Sequence, residues 1–215
     1  MSEIREVFTD IYQNRKWDPQ GVVLDSVSGP GSTIQYTSNL RAELPRLFDT
    51  FGITRVFDAP CGDLNWMSHV LDQCPDIEYI GGDIVPDLIR SNIEKFGQRP
   101  RTQFVEIDII HDALPDAEIM ICRECLFHFS NADINSFFQN FVKSNIASLL
   151  ITCDLVPDEA NFDITTGEFR HVNFFIDPWN FSRDYIYQIN DWPYSTPACR
   201  QMYMWSQDQI ANFIK

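Results

Sequence analysis

Residues 55–85 read RVFDAPCGDLNWMSHVLDQCPDIEYIGGDIV, in which two short apolar runs flank a segment with helical spacing. The runs at 55–60 and 78–84 predict buried strands, and residues 64–73 predict the helix between them. A strand, a crossover helix and a second parallel strand form a right-handed unit. This segment therefore predicts the beginning of an open parallel sheet with helices on its faces.

The same alternation continues along the chain and stops after Asp154, where residues 161–181 show no clear period and predict a loop. We predict further strands at 102–109, 117–124 and 147–154, helices at 86–96 and 131–146, and an antiparallel hairpin from 184–190 and 200–207. The predicted fold class is α/β, a Rossmann-like, doubly wound, mostly parallel seven-stranded sheet with an antiparallel C-terminal edge hairpin.

The residues before this sheet predict an N-terminal cap of helices and loops. Ile4, Phe8 and Ile11 recur at helical spacing, and a loop rich in Gly and Ser follows at 25–33. We therefore predict a cap at 1–50 and a Rossmann-like domain at 51–215, which together form one structural unit.

The chain is acidic, with 31 acidic and 16 basic residues and a formal net charge of −15. Such a charge repels nucleic acids and anionic membranes, and it suits a neutral acceptor such as a sugar, or a bound metal ion. No apolar run reaches the length of about 18 residues that a membrane span needs. The six Cys are irregularly spaced and predict no disulfide framework. We expect a soluble, cytoplasmic protein, and leave open whether it forms a homodimer.

Acidic side chains follow every predicted parallel strand. Asp58, Asp83, Asp108, Glu124 and Asp154 stand at or just beyond these strand ends. Because ligands of open α/β sheets bind at the carboxyl ends of the strands, we expect these groups to converge on one crevice.

Asp83 is the strongest single candidate for a ligand-binding residue, since an acid at the end of the second strand can bind both hydroxyls of a ribose. Its alternative role is to cap the following helix. The first turn reads A-P-C-G-D-L rather than G-x-G-x-x-G, which disfavours a dinucleotide. Asp63 adds a negative charge there, which suits an ammonium or sulfonium group.

The segments FDAPCGDLNWM, YIGGDIV, FVEIDI and MICRECLFHFS together resemble a class I S-adenosylmethionine (SAM)-dependent methyltransferase. With the later N-x-D-I-x-x-G-x-F-R-x-V-N segment, the chain is similar to small sugar and glycan O-methyltransferases of bacterial polysaccharide loci and of large algal viruses (chloroviruses). The resemblance implies SAM as cofactor, and as acceptor a sugar hydroxyl of a glycan, for example of a deoxyhexose such as rhamnose.

The resemblance also implies roles for individual residues. The first-strand motif would cradle the methionine part of SAM, Asp83 the ribose, and the third strand end the adenine, while Arg123 would lie between cofactor and acceptor. The residues so assigned to the cofactor are Ser28, Gly29, Asp58, Ala59, Cys61, Gly62, Asp63, Asp83, Ile84, Asp108, Ile109 and Arg123.

Two routes could activate the accepting hydroxyl. In the first, His128 is the general base, oriented or replaced by Asp154 or Asp163. In the second, a divalent ion, Mg²⁺ or Mn²⁺, lowers the pKa of the hydroxyl. Its oxygen ligands would be Glu124, Asp154, Asn161 and Asp163. A zinc site at Cys122 and Cys125 is disfavoured, because no second ligand pair follows.

The aromatic loop at 161–181 is the candidate acceptor site. Asp163, Arg170, Asn173 and Trp179 combine rings with planar polar groups, a pattern that suits a carbohydrate. The same rings could instead pack as a hydrophobic lid. The rival functions are methylation of a small non-sugar metabolite, an NAD-dependent oxidoreductase, and a nucleotide-binding module without turnover.

Overall fold

A computed structural model describes residues 3–18, 22–194 and 199–214. Seven strands form one sheet in the order β3-β2-β1-β4-β5-β7-β6. The strands are β1 Arg55–Asp58, β2 Glu78–Asp83, β3 Thr102–Glu106, β4 Ile119–Cys122, β5 Ser148–Asp154, β6 Tyr187–Asn190 and β7 Arg200–Ser206. The helices are α1 Glu3–Gln13, α2 Ser38–Phe51, α3 Met67–Gln73, α4 Pro86–Phe96, α5 Asn131–Lys143 and α6 Gln207–Phe213.

The pairing of the strands confirms the predicted fold class. Strands β1 to β5 are parallel, whereas β7 is antiparallel to both β5 and β6. Strand β1 lies between β2 and β4, with Asp58 opposite Gly81 on one side and Ile121 on the other. The chain order reverses at this point, which opens a crevice at the carboxyl ends of these strands.

Four of the five parallel strands end earlier than the sequence predicted, and β5 ends at Asp154 as predicted. Strand β3 ends at Glu106 rather than at 109, and β4 ends at Cys122 rather than at 124. The residues that follow leave the sheet because their backbone groups bond to side chains in turns. For example, the amide of Ile110 donates to Asp108 at 3.0 Å. These turns are what bring side chains to the crevice.

The sheet has an apolar core on each face. Successive residues of β5 alternate between the two clusters, with Leu149 and Ile151 on one face and Leu150 on the other. Helix α5 covers the first face with four residues that are fully buried, Ile134, Phe137, Phe138 and Phe141. Burying a Phe or Ile side chain stabilises a fold by about 1.5–3 kcal/mol, so α5 is a principal contributor to stability.

The two N-terminal helices pack on opposite faces of the same sheet. Phe8 and Ile11 of α1 belong to the cluster with α5, whereas Leu40 and Leu44 of α2 belong to the other cluster. Helix α2 ends at Gly52, which has the left-handed φ of 62° that favours glycine at this position. The separation of a cap at 1–50 from a domain at 51–215 stays a prediction, and residues 1–2, 19–21, 195–198 and 215 lie outside the described residues.

The segment between β5 and β6 is irregular, and a few of its side chains are buried. Phe174 and Phe181 are 0% and 3% exposed and stack against each other in the α5 cluster. These rings therefore pack as core, which is the alternative that the sequence left open. Among the described residues, no helix is both long and apolar enough to cross a membrane.

Candidate active site

A cavity of about 470 Å³ opens at the carboxyl ends of the central strands. Its volume lies in the range of about 300–1,000 Å³ typical of small-molecule and cofactor sites. Sequence-predicted residues that line it are Ser28, Gly29, Cys61, Gly62, Asp83, Ile84, Asp108, Ile109, Arg123, Glu124 and His128. The cavity also takes Ile4, Phe8 and Tyr12 from one face of α1, and Trp17, Tyr36, Trp66, Phe169, Trp192, Tyr194 and Arg200 from other elements.

The turn after β1 is fixed to the end of β2. The amide of Cys61 donates to the carbonyl of Gly82 at 2.8 Å, and the amide of Gly62 donates to Oδ2 of Asp83 at 3.2 Å. Gly62 has a φ of 58°, and a Cβ there would lie only 2.6 Å from Oγ of Ser28. A single glycine thus provides the close approach in this turn, although the dinucleotide pattern of three glycines is missing.

Asp58 and Ala59 lie beneath this turn and do not line the cavity, which corrects their assignment to the cofactor. Asp58 is 1% exposed and accepts a hydrogen bond of 2.6 Å from the hydroxyl of Tyr79. Burial raises the pKa of Asp58 to about 7. The amide of Ala59, which is fully buried, donates to the carbonyl of Ile121. Both residues support the turn from below.

Asp63 holds the loop at 25–33 against the β1 turn, and it too lies outside the cavity lining. Its carboxylate accepts from Oγ of Ser26 at 2.9 Å and from the amide of Val27 at 2.8 Å. In return, its amide donates to Oγ of Ser28 at 3.0 Å. Protein groups therefore occupy the acceptor positions that the sequence assigned to a ligand, and these bonds place Ser28 and Gly29 at the cavity wall.

Asp83 and Asp108 present carboxylates to the cavity from neighbouring strand ends. Each is oriented by a backbone amide two residues further on, Val85 for Asp83 and Ile110 for Asp108, at 3.0 Å. Burial raises the pKa of Asp83 to about 6. A carboxylate has about four acceptor sites, so both groups keep capacity for a ligand.

The hydroxyl of Tyr12 is a further feature of this half of the cavity. It is buried, and although the side chain of Ser28 lies nearby, no described residue meets it with the geometry of a hydrogen bond. A buried polar atom without a partner is costly, and a ligand with a polar group would satisfy it. One hydroxyl donor, Tyr12, and two carboxylate acceptors, Asp83 and Asp108, thus lie beside Ile84 and Ile109, and this set fits the ribose and adenine of SAM.

Arg123 is buried at the other half of the cavity and paired with Asp191. Its Nε and Nη2 lie 2.8 and 3.0 Å from the two carboxylate oxygens of Asp191. Its guanidinium also lies over the rings of Tyr36 and Trp66, 5.6 and 5.4 Å from their centroids. This forked pair fixes Arg123 in one orientation.

Glu124 and Asp154 share a cation, but that cation is a side chain. Arg200 places Nη1 2.8 Å from Oε1 of Glu124 and Nε 2.8 Å from Oδ1 of Asp154. The described residues contain no group of three or more His, Cys, Asp and Glu that could hold a metal ion. The predicted divalent ion is thus not supported, because a guanidinium already pairs with these two carboxylates.

The other two predicted metal ligands are tied to the backbone elsewhere. Asn161 donates to the carbonyls of Asn173 and Asp177, each at 2.8 Å. Asp163 accepts from the amide of Asn131, the first residue of α5, at 2.8 Å. Neither side chain lines the cavity, so they do not meet Glu124 there.

His128 lines the cavity and has a defined tautomer. Its Nδ1 lies 2.7 Å from the carbonyl oxygen of Glu168, which can only accept, so Nδ1 carries the proton and Nε2 is left as an acceptor. The ring stacks on Trp17 with centroids 5.4 Å apart. Burial lowers the pKa of His128, which keeps the ring neutral near pH 7.

The four residues predicted to contact the acceptor are not brought to the cavity. Arg170 is 1% exposed and donates to the carbonyl of Phe129 and to Oδ1 of Asn131, while Nε1 of Trp179 donates to Asn135. Oδ1 of Asn173 accepts from the amide of Phe175 within the loop, and Oδ1 of Asp163 accepts from the amide of Asn131 in α5. These side chains fasten the loop to α5, and Phe169 alone represents 161–181 in the lining.

Several lining residues were missed by sequence reasoning. Tyr12 continues the spacing of Ile4 and Phe8 by four more residues, so the face of α1 could have been extended to it. No local sequence pattern pointed to Arg200 as a lining residue, because its position depends on the register that pairs it with Asp154 across β5 and β7.

Solved structures of other proteins have a similar fold, whereas sequence comparisons find no relative. No protein-family model matches the chain, and no curated protein matches it in sequence. Human N-acetylserotonin methyltransferase, solved with SAM, is similar with a TM-score of 0.63 and 15% identity, over 94% of this chain and 59% of that one. PigF, solved with S-adenosylhomocysteine (SAH), gives 0.63 and 15%, over 92% and 61%. The PH0226 protein of Pyrococcus horikoshii gives 0.57 and 15%, over 82% and 92%.

The chain spans 59% of the length of the human enzyme and 61% of the length of PigF. Identity of 15% carries information about architecture alone. The chain shares its Rossmann-like fold with human N-acetylserotonin methyltransferase, solved with SAM, and with PigF, solved with SAH.

Proposed function

We propose that the chain is a SAM-dependent O-methyltransferase whose acceptor is a sugar hydroxyl. The observation that carries the proposal is that one cavity joins the carboxylates after β2 and β3 to His128 and Glu124 after β4. The first pair suits an adenosyl group, and the second provides a base and a hydrogen-bond acceptor for a hydroxyl.

In this proposal Asp83 accepts hydrogen bonds from the ribose hydroxyls, and Asp108 accepts one from the adenine amine. Ile84 and Ile109 pack on the adenine, and Ser28 and Gly29 lie at the methionine end. Their position on the wall of one cavity supports these assignments. Tyr12 supplies a hydroxyl donor that has no protein partner among the described residues.

When SAM is bound, its sulfonium group supplies an electrophilic methyl carbon. His128 accepts the proton of the attacking hydroxyl at Nε2, while its Nδ1 stays bonded to the carbonyl of Glu168. The new bond joins the hydroxyl oxygen to the methyl carbon, and the electron pair of the broken C–S bond goes to sulfur. A neutral ring with an oriented acceptor nitrogen suits this task.

A sugar acceptor is supported by the make-up of the second half of the cavity. Tyr36, Trp192 and Tyr194 form a cluster of edge-to-face rings, with centroids 5.1–6.3 Å apart. Charged groups of Arg123 and Glu124 line the same region. Rings and fixed polar groups together suit the C–H faces and hydroxyls of a pyranose. The same ring cluster favours a small aromatic metabolite as the second candidate.

Two measurements test the proposal. Isothermal titration with SAM, SAH and NAD should show binding of the first two and not of NAD. Mass spectrometry of a panel of deoxyhexosides and phenols incubated with SAM should show a gain of one methylene mass in a sugar. Transfer only to phenols would favour the second candidate, and binding of SAH without transfer to any acceptor would favour a module without turnover.

A further inference from the structure

The carboxylate of Glu124 has one oxygen held by arginines and one that is not. Arg200 donates to Oε1 at 2.8 Å, and Nη2 of Arg123 lies 3.5 Å from the same oxygen. No hydrogen bond from a described residue reaches Oε2. Gly31 makes room for that oxygen, since a Cβ on Gly31 would lie 1.7 Å from it. Glu124 therefore brings a free acceptor oxygen to the cavity wall.

The backbone of Glu124 is held in an unusual conformation. Its φ is 49°, in the left-handed region that residues other than glycine rarely adopt, and its amide donates to Oγ1 of Thr152 at 2.9 Å. Such strain of about 1–3 kcal/mol persists where the surrounding structure enforces it, typically at functional sites. Here it directs the side chain between Arg200 and Gly31.

Glu124 is ionised at neutral pH. Burial on its own would raise its pKa, but the guanidinium groups of Arg123 and Arg200 outweigh burial and lower the pKa of Glu124. An ionised carboxylate can only accept hydrogen bonds, so the group opposite Oε2 must be a donor. The guanidinium of Arg200, which is bonded to Glu124, lies 4.8 Å from the ring centroid of Phe127, and that ring lies 4.6 Å from the ring of His128. Base and carboxylate therefore line the same part of the cavity.

We propose that His128 and Glu124 together recognise two adjacent hydroxyl groups of the acceptor, which makes the substrate class a vicinal diol. His128 takes the proton of the hydroxyl that is methylated, and Oε2 of Glu124 accepts a hydrogen bond from its neighbour. The inference rests on the proposed function and adds to it a requirement for the second hydroxyl. Arg200 is a positioning residue that turns Oε2 toward the diol.

The test uses a deoxyhexoside that the enzyme methylates and two analogues of it. One analogue lacks the hydroxyl next to the position that is methylated, and the other lacks a remote hydroxyl. We expect loss of the adjacent hydroxyl to lower kcat/KM about 100-fold or more, because a site built to bond a hydroxyl rejects an analogue lacking it. Loss of the remote hydroxyl should change kcat/KM by less than about fivefold.

Glu124→Gln provides the matching change in the protein. Arg200 donates to Oε1, so glutamine must place its carbonyl oxygen there and its NH₂ at the position of Oε2. A donor then faces a hydroxyl, and kcat/KM for the parent sugar should fall about 100-fold while the loss for the adjacent-deoxy analogue is much smaller. The affinity for SAH reports that the variant is folded. Glu159→Gln, on the segment after β5 and outside the cavity lining, is the control.

Equal losses for both acceptors in Glu124→Gln, or a wild-type enzyme that accepts the adjacent-deoxy analogue as well as the parent sugar, would overturn the inference and leave the proposed function standing. Binding of SAH with no transfer to any hydroxyl would overturn the proposed function and the inference together.

Discussion

Asp154 and Arg200 face each other across the antiparallel register of β5 and β7, and Oδ1 of the first lies 2.8 Å from Nε of the second. The same guanidinium reaches Glu124 at the end of β4. Strand β7 thus brings a fixed positive charge to the carboxylates of Asp154 and Glu124. In an acidic protein this pairing replaces the divalent ion that the two acids alone suggested.

Turnover should therefore be insensitive to chelators. We expect kcat with SAM and a sugar acceptor to stay within about twofold after treatment with excess EDTA, since Arg200 already forms ion pairs with both Glu124 and Asp154. The assay is methyl transfer before and after chelation, with Mg²⁺ and Mn²⁺ added back. Activity that disappears with EDTA and returns with one of these ions would contradict the guanidinium assignment.

Arg200→Met should destabilise the protein and Arg200→Lys should destabilise it less. Methionine leaves Asp154, which is 1% exposed, without its cation, and breaking a buried ion pair costs about 3–5 kcal/mol. Lysine keeps the charge but cannot reach both carboxylates with one planar fork. Urea unfolding measures the difference. Arg46→Met, at an exposed surface pair, should change stability by less than about 0.5 kcal/mol.

Asp83→Ala should abolish measurable binding of SAH while the protein stays folded. Two hydrogen bonds to a charged acceptor contribute about 1.5–3 kcal/mol each, so we expect the Kd to rise about 100-fold or more. Titration calorimetry gives the Kd, and the unfolding midpoint reports the fold. Asp76→Ala, at an exposed position before β2, serves as control. Near-native affinity in Asp83→Ala would show that the ribose lies elsewhere.

Asp58→Asn should make the free energy of unfolding less dependent on pH below about pH 7. Burial raises the pKa of Asp58 from 3.8 to about 7, so the native state holds a proton there that the unfolded chain releases. Stability from this group is thus present at low pH and is lost as pH rises toward 7, by up to roughly 1.4 kcal/mol per pH unit. Asparagine does not titrate and still accepts from the hydroxyl of Tyr79.

The measurement for Asp58 is urea unfolding of both proteins from pH 4.5 to 8. The difference between the two curves removes the contribution of the other carboxylates, and Asp58→Asn should become the more stable protein at the alkaline end. Parallel curves over this range would mean that Asp58 is ionised throughout, and that its pKa is not raised by burial.

The sequence predicted the sheet and the approach of Asp83 and Asp108 to one crevice, because both follow from local patterns. Parallel strands bring their carboxyl ends together, so Asp83 and Asp108 had to meet at one edge. Asp58 was assigned to the cavity although it lies beneath it, since nothing in its own strand shows that the hydroxyl of Tyr79 on the neighbouring strand donates a hydrogen bond to it. That contact depends on the register of β1 and β2.

The part of the cavity around Arg123 and Glu124 was predicted less well, for two physical reasons. Its charges depend on long-range pairing, as with Arg200 and Asp191, which approach β4 only after the hairpin has formed. The aromatic residues of 161–181 were compatible both with a binding surface and with hydrophobic packing. Phe174 and Phe181 are buried, so these two rings belong to the core. A composition that suits two environments does not choose between them.

His128→Ala should lower kcat about 10²–10⁴-fold while the Kd of SAH stays within about threefold, because a positioned general base acts on the transfer step and not on cofactor binding. In the wild-type enzyme, burial lowers the pKa of His128 below its ordinary 6.5. The kcat/KM should therefore be constant near pH 7 and should fall only below about pH 6.5, as the ring takes up a proton and loses its acceptor. His69→Ala, at an exposed position of α3, is the matched control. An acid limb that persists unchanged in the residual activity of His128→Ala would assign the titration to another group, and Glu124 would then be the next residue to test as the base.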